Sequence, residues 1–386
     1  MNGQKQAASY HAPAADILRV ASVFMIAWYH IWQQSWLNPN FTLFGFEINM
    51  YPVVSRGYMF VYLMLLISGF VLTLGMYSGR YPTAKAFYLG RARRILPSYL
   101  LCLIVFFFFD AVPNESYYSN KHMLTEVFAH LTFTQNLFYE SYSVTRLNGA
   151  LWTLAVEVQF YLLFPLLFRL FRKKPLVTFA GMLGVCLLCK LYVQHFQPDT
   201  TLFVNRLPVM LDVYACGMLA AWGYVRLKEA GRLKWLHLIL ALAACAGMYM
   251  LLRRLSYVSG YEEQRRAQMW AALPFSLLGG VFLMCGSLTW RAVLMAFSNP
   301  AVTFLSGISY NFYIWHQAVA VRLKQGRIPA YTGDAPNMDG QTVWQHRYTL
   351  LCFAAAYLIA VALTYLVERP CAARWREKKA KADKAT

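Results

Sequence analysis

Apolar runs of about twenty residues recur along the whole chain, and no other feature restricts its fold as strongly. A helix rises about 1.5 Å per residue, so each run can cross a hydrocarbon core roughly 30 Å thick. Ten such runs stand out: 17–36, 57–78, 95–112, 152–171, 176–195, 206–226, 235–252, 268–288, 299–320 and 347–367. In lipid the backbone finds no water for its N–H and C=O groups, so spans of this kind are helical. Charged residues make up 14 % of the chain, against roughly a quarter in an ordinary soluble domain. The sequence therefore predicts an all-α integral membrane protein, a bundle of about ten transmembrane helices with both termini cytoplasmic. One further apolar stretch, 122–139, carries His122, Glu126 and His130 and reads as a short helix at the membrane interface.

The formal net charge is +19, and where the charge sits decides what it means. With the N-terminus inside and the spans alternating, inner segments carry 22 of the 36 Lys and Arg, outer segments carry 12, and Arg19 and Lys190 fall within spans. Positive residues collect on the cytoplasmic side of inserted proteins, so the charge points to topology and not to nucleic acid as a partner. The outer loop 253–267 is basic against this rule. The expected organisation is a cytoplasmic N-terminal segment (1–16), one transmembrane domain (17–368) and a basic cytoplasmic tail (369–386). The first run is too long for a signal peptide and lacks a small-residue cleavage site, so it is expected to stay in the mature protein. Eight cysteines are present, seven of them in proposed spans. The Cys186–Cys189 pair reads as helix packing, and neither a disulfide framework nor a metal site is expected.

The first span holds "RVASVFMIAWYH", an arginine and a histidine eleven residues apart. Taken alone, Arg19 reads as a snorkelling cation near the inner surface, and a lone His30 as a hydrogen-bonding group facing another helix. Together they say more. Eleven steps of about 100° return to nearly the same helix face, and they separate the two side chains by roughly 16 Å along the axis. An ionisable group inside a span is a functional candidate by default. A stripe with a cation at one end and a proton acceptor at the other suits a long ligand that is anionic at one end and reactive at the other. Acyl-coenzyme A has that shape, and a neutral imidazole near its thioester can act as general base on an incoming hydroxyl.

Further stretches join this pair in a pattern that resembles the acyltransferase-3 family of membrane proteins. "LISGF" supplies Ser68, Gly69 and Phe70, and "FYLGRARRILPSY" supplies Phe87, Arg91, Arg94, Ile95 and Pro97. "LWTLAVEVQFYLLFPLL" supplies Trp152, Thr153, Leu154, Glu157, Phe160, Tyr161 and Pro165, with threonine where the family more often has serine. "ISYNFYIWH" supplies Ser309, Tyr310, Tyr313 and His316, and "YLVERP" closes the series at Pro370. The matches run in order from residue 19 to residue 370. The resemblance implies about ten spans in the cell membrane and an acyl donor taken from the cytoplasm, usually acetyl-CoA, which is a co-substrate and not a bound cofactor. It also implies a hydroxyl acceptor on a carbohydrate or glycolipid of the cell envelope. Some members carry a fused extracytoplasmic domain. This chain ends soon after its last span, so none is expected here.

The remaining candidates follow from charge and position. Guanidinium forks suit phosphate oxygens, so Arg91 and Arg94, in a proposed inner loop 79–94, join Arg19 as donor-binding candidates. Plain positive-inside topology accounts equally for Arg93. His30 and Glu157 lie at similar distances from the outer ends of their spans, and a carboxylate beside an imidazole can fix its tautomer and steady its charged form. The structural alternative pairs Glu157 with a tyrosine, an amide or a backbone group. Trp152 and Tyr161 are candidates for the substrate cavity, although tryptophan at the start of a span also suits the interfacial belt. His316 either faces the acceptor or serves as a hydrogen-bonding group. Lys190 and Asp212 either pair with each other or line an aqueous cavity. The expectation is a membrane O-acyltransferase with His30 as general base or acyl relay. A proton-coupled transporter is the rival reading, since buried charges in about ten spans suit one too, but no inverted repeat is visible. A scaffold that has lost activity would have no need of the costly buried charges.

Overall fold

The computed structural model describes residues 10, 12–230, 233–338 and 341–375. The expected N-terminal segment through residue 9, and the expected basic tail from 376 on, lie outside the described residues. The described chain is built on α1 (Ala14–Ser35), α2 (Phe60–Tyr77), α3 (Ala84–Phe106), α4 (Asn120–Leu131), α5 (Trp152–Lys173), α6 (Pro175–Phe196), α7 (Leu211–Ala230), α8 (Lys234–Ser256), α9 (Tyr261–Gly286), α10 (Pro300–Gln325) and α11 (Thr342–Leu363). After α1 comes a hairpin of β1 (Phe41–Leu43) and β2 (Phe46–Ile48), antiparallel with Phe41 opposite Ile48. Phe44 and Gly45 form its two-residue turn, with φ of 50° and 82°, the double positive φ that matches the twist of a hairpin.

Nine helices among the described residues are long and apolar enough to cross a membrane, and the chain is a multi-pass membrane protein. The one expected span outside these nine, 299–320, corresponds to α10. Its 26 residues give it the length, but Ser306, Ser309, Asn311 and His316 lie along it. All four are buried and so are kept away from lipid. Two boundaries differ from expectation. The basic stretch 79–94, read as an inner loop, is largely helical, because α3 starts at Ala84. The basic outer stretch 253–267 is divided between the end of α8 and the start of α9. The cause is shared: Lys and Arg are good helix formers, so a span continues through its charged flank until the backbone is turned. Gly79 (φ 69°) and Gly260 (φ 85°) make those turns, and Thr83 Oγ accepts the Ala86 N–H at 3.1 Å at the start of α3. The stretch at 122–139 does form a short helix, α4, with Ser119 Oγ accepting the His122 N–H at 3.2 Å as its cap.

The chain packs as two compact units. Among the described residues, the first comprises those up to Ser22, Met59–Tyr88 and Glu157–Thr303, and the second Val23–Tyr58, Leu89–Val156 and those from Phe304 onward. In the first unit α2 and α7 meet backbone to backbone. A Cβ on Gly69 would stand 2.8 Å from the Tyr214 carbonyl oxygen, and one on Gly217 would collide with the Leu66 carbonyl. Such close approach is how small residues hold helices together where lipid removes the hydrophobic drive between them. Phe160 stacks on Tyr214 at 3.7 Å between ring centroids. Lys190 on α6 meets Asp212 on α7 at 2.5 Å, both buried, so the two expected buried charges pair with each other.

In the second unit Ile31, Ala320, Trp344, Tyr348 and Cys352 form a core between α1, α10 and α11. Phe24 stacks on Phe353 at 4.9 Å, and the Tyr348 hydroxyl donates to the Ala320 carbonyl. Asn148 Nδ2 donates to the Ile314 carbonyl at 2.8 Å, and the Tyr310 hydroxyl to the Ile95 carbonyl at 2.9 Å. These bonds fix α10 from two sides. α6 exposes Leu187 and Leu188, and α11 exposes Leu350 and Leu358. That arrangement suits lipid and would be a liability in water.

Candidate functional site

In the second unit, α1 brings His30 against His316 of α10. His30 Nδ1 and His316 Nε2 are 2.8 Å apart, and the rings sit 5.0 Å between centroids. His316 is fully buried and His30 partly so. The segment that presents His316 is regular helix. Ser309, Tyr313 and His316, spaced four and three apart, lie on one face of α10, and all are buried. His316 Nδ1 lies 2.6 Å from the Tyr313 carbonyl oxygen, and the Phe312 ring lies parallel to the imidazole at 6.5 Å. Tyr313 is itself anchored, since Thr153 Oγ1 bonds its hydroxyl at 2.9 Å and that hydroxyl reaches the Ala150 carbonyl at 3.3 Å. His30 and His316 are thus brought together, and the side-chain partner at His30 Nδ1 is an imidazole where the sequence suggested a carboxylate.

Glu157 lies in the first unit. Its Oε1 receives hydrogen bonds from the Ser68 hydroxyl of α2 and the Tyr161 hydroxyl of α5. Tyr161 is a further site candidate, and its link to Glu157 follows from an i, i+4 spacing on one helix. Ser68 was visible in the "LISGF" stretch, but nothing in the sequence tied it to Glu157. Two hydroxyls donating to one carboxylate oxygen fix the rotamer of the Glu157 side chain. Trp152 lies in the second unit, partly buried, with Tyr142 edge-on at 6.3 Å.

The cations divide in the same way. Arg19 belongs to the first unit and comes within 3.7 Å of Asp16, one turn earlier on α1. Both line an open cavity of about 390 Å³, together with Tyr10, Ser78 and Arg80. The sequence reading did not single out Arg80 or Tyr10. Arg91 and Arg94 lie in the second unit on α3, three residues apart on one side of the helix. Arg93 lies over the Trp375 ring at 5.6 Å. The "YLVERP" stretch makes a π-helical turn, Thr364–Glu368, and Asn311 Nδ2 donates to both Thr364 Oγ1 and Glu368 Oε2 at 2.9 Å.

The segment before α5 holds a separate buried polar group. Glu126 accepts the Thr145 hydroxyl and, at 2.9 and 3.3 Å, the Arg146 and Leu147 N–H groups. Burial still holds its carboxyl above the usual range, against the pull of those bonds. Burial also pushes the His130 imidazole down to about 4, opposed by its bond to the Glu126 carbonyl. No set of three or more His, Cys, Asp or Glu side chains among the described residues is arranged to hold a metal ion.

Residues 13–369 match the family model described as an acyltransferase domain. An O-acetyltransferase OatA of Staphylococcus aureus is 25 % identical over 355 residues, covering 85 % of this chain and 54 % of the relative. A peptidoglycan O-acetyltransferase OatA of Listeria monocytogenes is 22 % identical over 391 residues, covering 93 % and 56 %. The chain therefore spans about half the length of these relatives. No solved structure matches it significantly.

Proposed function

The chain belongs to the acyltransferase domain family, and on that premise we propose that it is an O-acyltransferase of the cell membrane. The reaction moves an acyl group, acetyl by preference, from cytoplasmic acyl-CoA to a hydroxyl of a cell-envelope carbohydrate or glycolipid. The observation that carries the reading is α1 itself. It is one unbroken helix with Arg19 near its start, and His30, eleven residues further on, hydrogen-bonds a second imidazole. The names of the similar proteins support the acetyl group, and that of the Listeria relative supports peptidoglycan as one acceptor to test.

Arg19 takes the phosphates of the donor. The open cavity beside it supports that role and adds Arg80 as a second cation. Arg91 and Arg94 are proposed as phosphate contacts on the strength of their motif. His30 is the general base that removes the proton from the acceptor hydroxyl. Glu157 is kept as a catalytic candidate, with Ser68 and Tyr161 holding its carboxyl group in place. Trp152 is proposed to line the acceptor side.

Acyl-CoA turnover by the purified protein, wild type beside His30→Ala, tests the reading. General-base catalysis contributes about 10²–10⁴-fold, so a loss of that size in kcat is expected with the protein still folded. Equal rates would remove His30 from the chemistry. Mass spectrometry of envelope glycans from cells with and without the protein then identifies the acceptor.

A further inference from the structure

A backbone carbonyl can only accept, and the group 2.6 Å from the Tyr313 oxygen is His316 Nδ1. That nitrogen therefore carries a proton. A neutral imidazole has one N–H, which leaves His316 Nε2 as a lone-pair acceptor. The atom facing it at 2.8 Å is His30 Nδ1. Two lone pairs do not bond, so His30 Nδ1 carries the proton of that contact. The lone pair of His30 is left on Nε2. The reverse assignment needs a doubly protonated His316. That would place a cation on a side chain with no exposed surface, where none of its hydrogen-bond partners is a carboxylate. Such a charge is costly to bury.

We propose that His316 is a positioning residue and not an acceptor contact: anchored on the Tyr313 carbonyl, it holds His30 in the tautomer and ring orientation that make Nε2 the reacting nitrogen. The proposal rests on the general-base reading of His30. In the transfer, His30 Nε2 takes the proton of the acceptor hydroxyl as that oxygen bonds to the thioester carbonyl carbon. The carbon–sulfur bond then breaks, the electron pair leaves on sulfur, and the thiolate takes the proton back from Nε2. Throughout, the Nδ1–H of His30 stays directed at His316, whose neutral Nε2 disperses part of the imidazolium charge. A carboxylate commonly fills this place beside a catalytic histidine. An imidazole supplies the same orientation with one negative charge less.

The informative variant is His316→Gln. Its amide oxygen can accept from His30 Nδ1–H while its NH2 donates to the Tyr313 carbonyl, so both bonds survive without an imidazole. In purified protein, His316→Ala is expected to lower kcat about 10²-fold with the KM for acyl-CoA within about twofold, and His316→Gln to recover to within about tenfold of wild type. Thermal midpoints are measured on the same samples. An alanine variant with the wild-type kcat overturns the proposal, as does a glutamine variant as slow as alanine but with a native midpoint. If the alanine variant does not fold, the glutamine variant decides by the same limits. His30→Ala run alongside separates the two readings. If it keeps the wild-type rate, the general-base reading falls and the positioning proposal with it. If it is inactive while His316→Ala is active, only the positioning proposal falls.

Discussion

Lys190 and Asp212 meet at 2.5 Å, both buried, and their energetics are those of any ion pair taken out of water. The mutual attraction offsets the desolvation of each, so removing one partner is worse than removing both. Lys190→Met, which leaves a buried carboxylate alone, is expected to cost about 3–5 kcal/mol. Lys190→Met with Asp212→Leu is expected to cost less. Thermal unfolding in detergent orders the two, and a double variant less stable than the single one would refute the argument. His130 gives a pH dependence whose sign follows from its environment. Its folded value, about 4, lies below the ordinary 6.5, so the fold favours the neutral ring. The stabilisation is complete above about 6.5 and is lost as the pH falls from there towards 4. Glu126 runs the other way, since its raised value favours the protonated form and its contribution fades as the pH rises. The protection factors of the α4 amides, which discount the intrinsic pH dependence of exchange, should therefore fall between pH 6.5 and 4 in wild type, and His130→Phe should flatten that fall. A wild-type profile with no change across this window would count against it.

At the scale of elements, the α2–α7 contact depends on two glycines. A Cβ on Gly217 collides with the Leu66 carbonyl, and a backbone carbonyl cannot swing aside as a long side chain can. Gly217→Ala is expected to lower stability by about 1–3 kcal/mol, the usual cost of overpacking, read as a lower thermal midpoint in detergent. An unchanged midpoint would mean that the helices separate freely. Most elements were legible because a span needs an apolar run of fixed length, and that requirement is written residue by residue. The boundaries at Ala84 and Tyr261 were not, since Arg91, Arg94, Arg265 and Arg266 signal both an aqueous flank and a helix former. The hairpin was missed because three-residue strands carry too little alternation to register. His30 and His316 of the second unit and Glu157 and Tyr161 of the first were all legible as candidates. Their pairing was not: His30 and His316 are 286 positions apart, and no local pattern says which nitrogen of one ring will meet the other. Glu157 took hydroxyl partners, one of them the tyrosine foreseen in the structural alternative.

At the scale of the molecule, the low share of charge and the repeated apolar runs fixed the class of protein before any contact was known. α10 departs from the pattern because it serves the interior. Its serines, asparagine and histidine would be expensive against lipid and are buried instead. The helices at the other extreme are α6 and α11, whose apolar windows are each only 22 % buried by protein. Most of what surrounds them must come from acyl chains. Their order is then partly a property of the solvent, and the membrane's thickness and fluidity act on these outer staves much as temperature acts on a water-soluble domain.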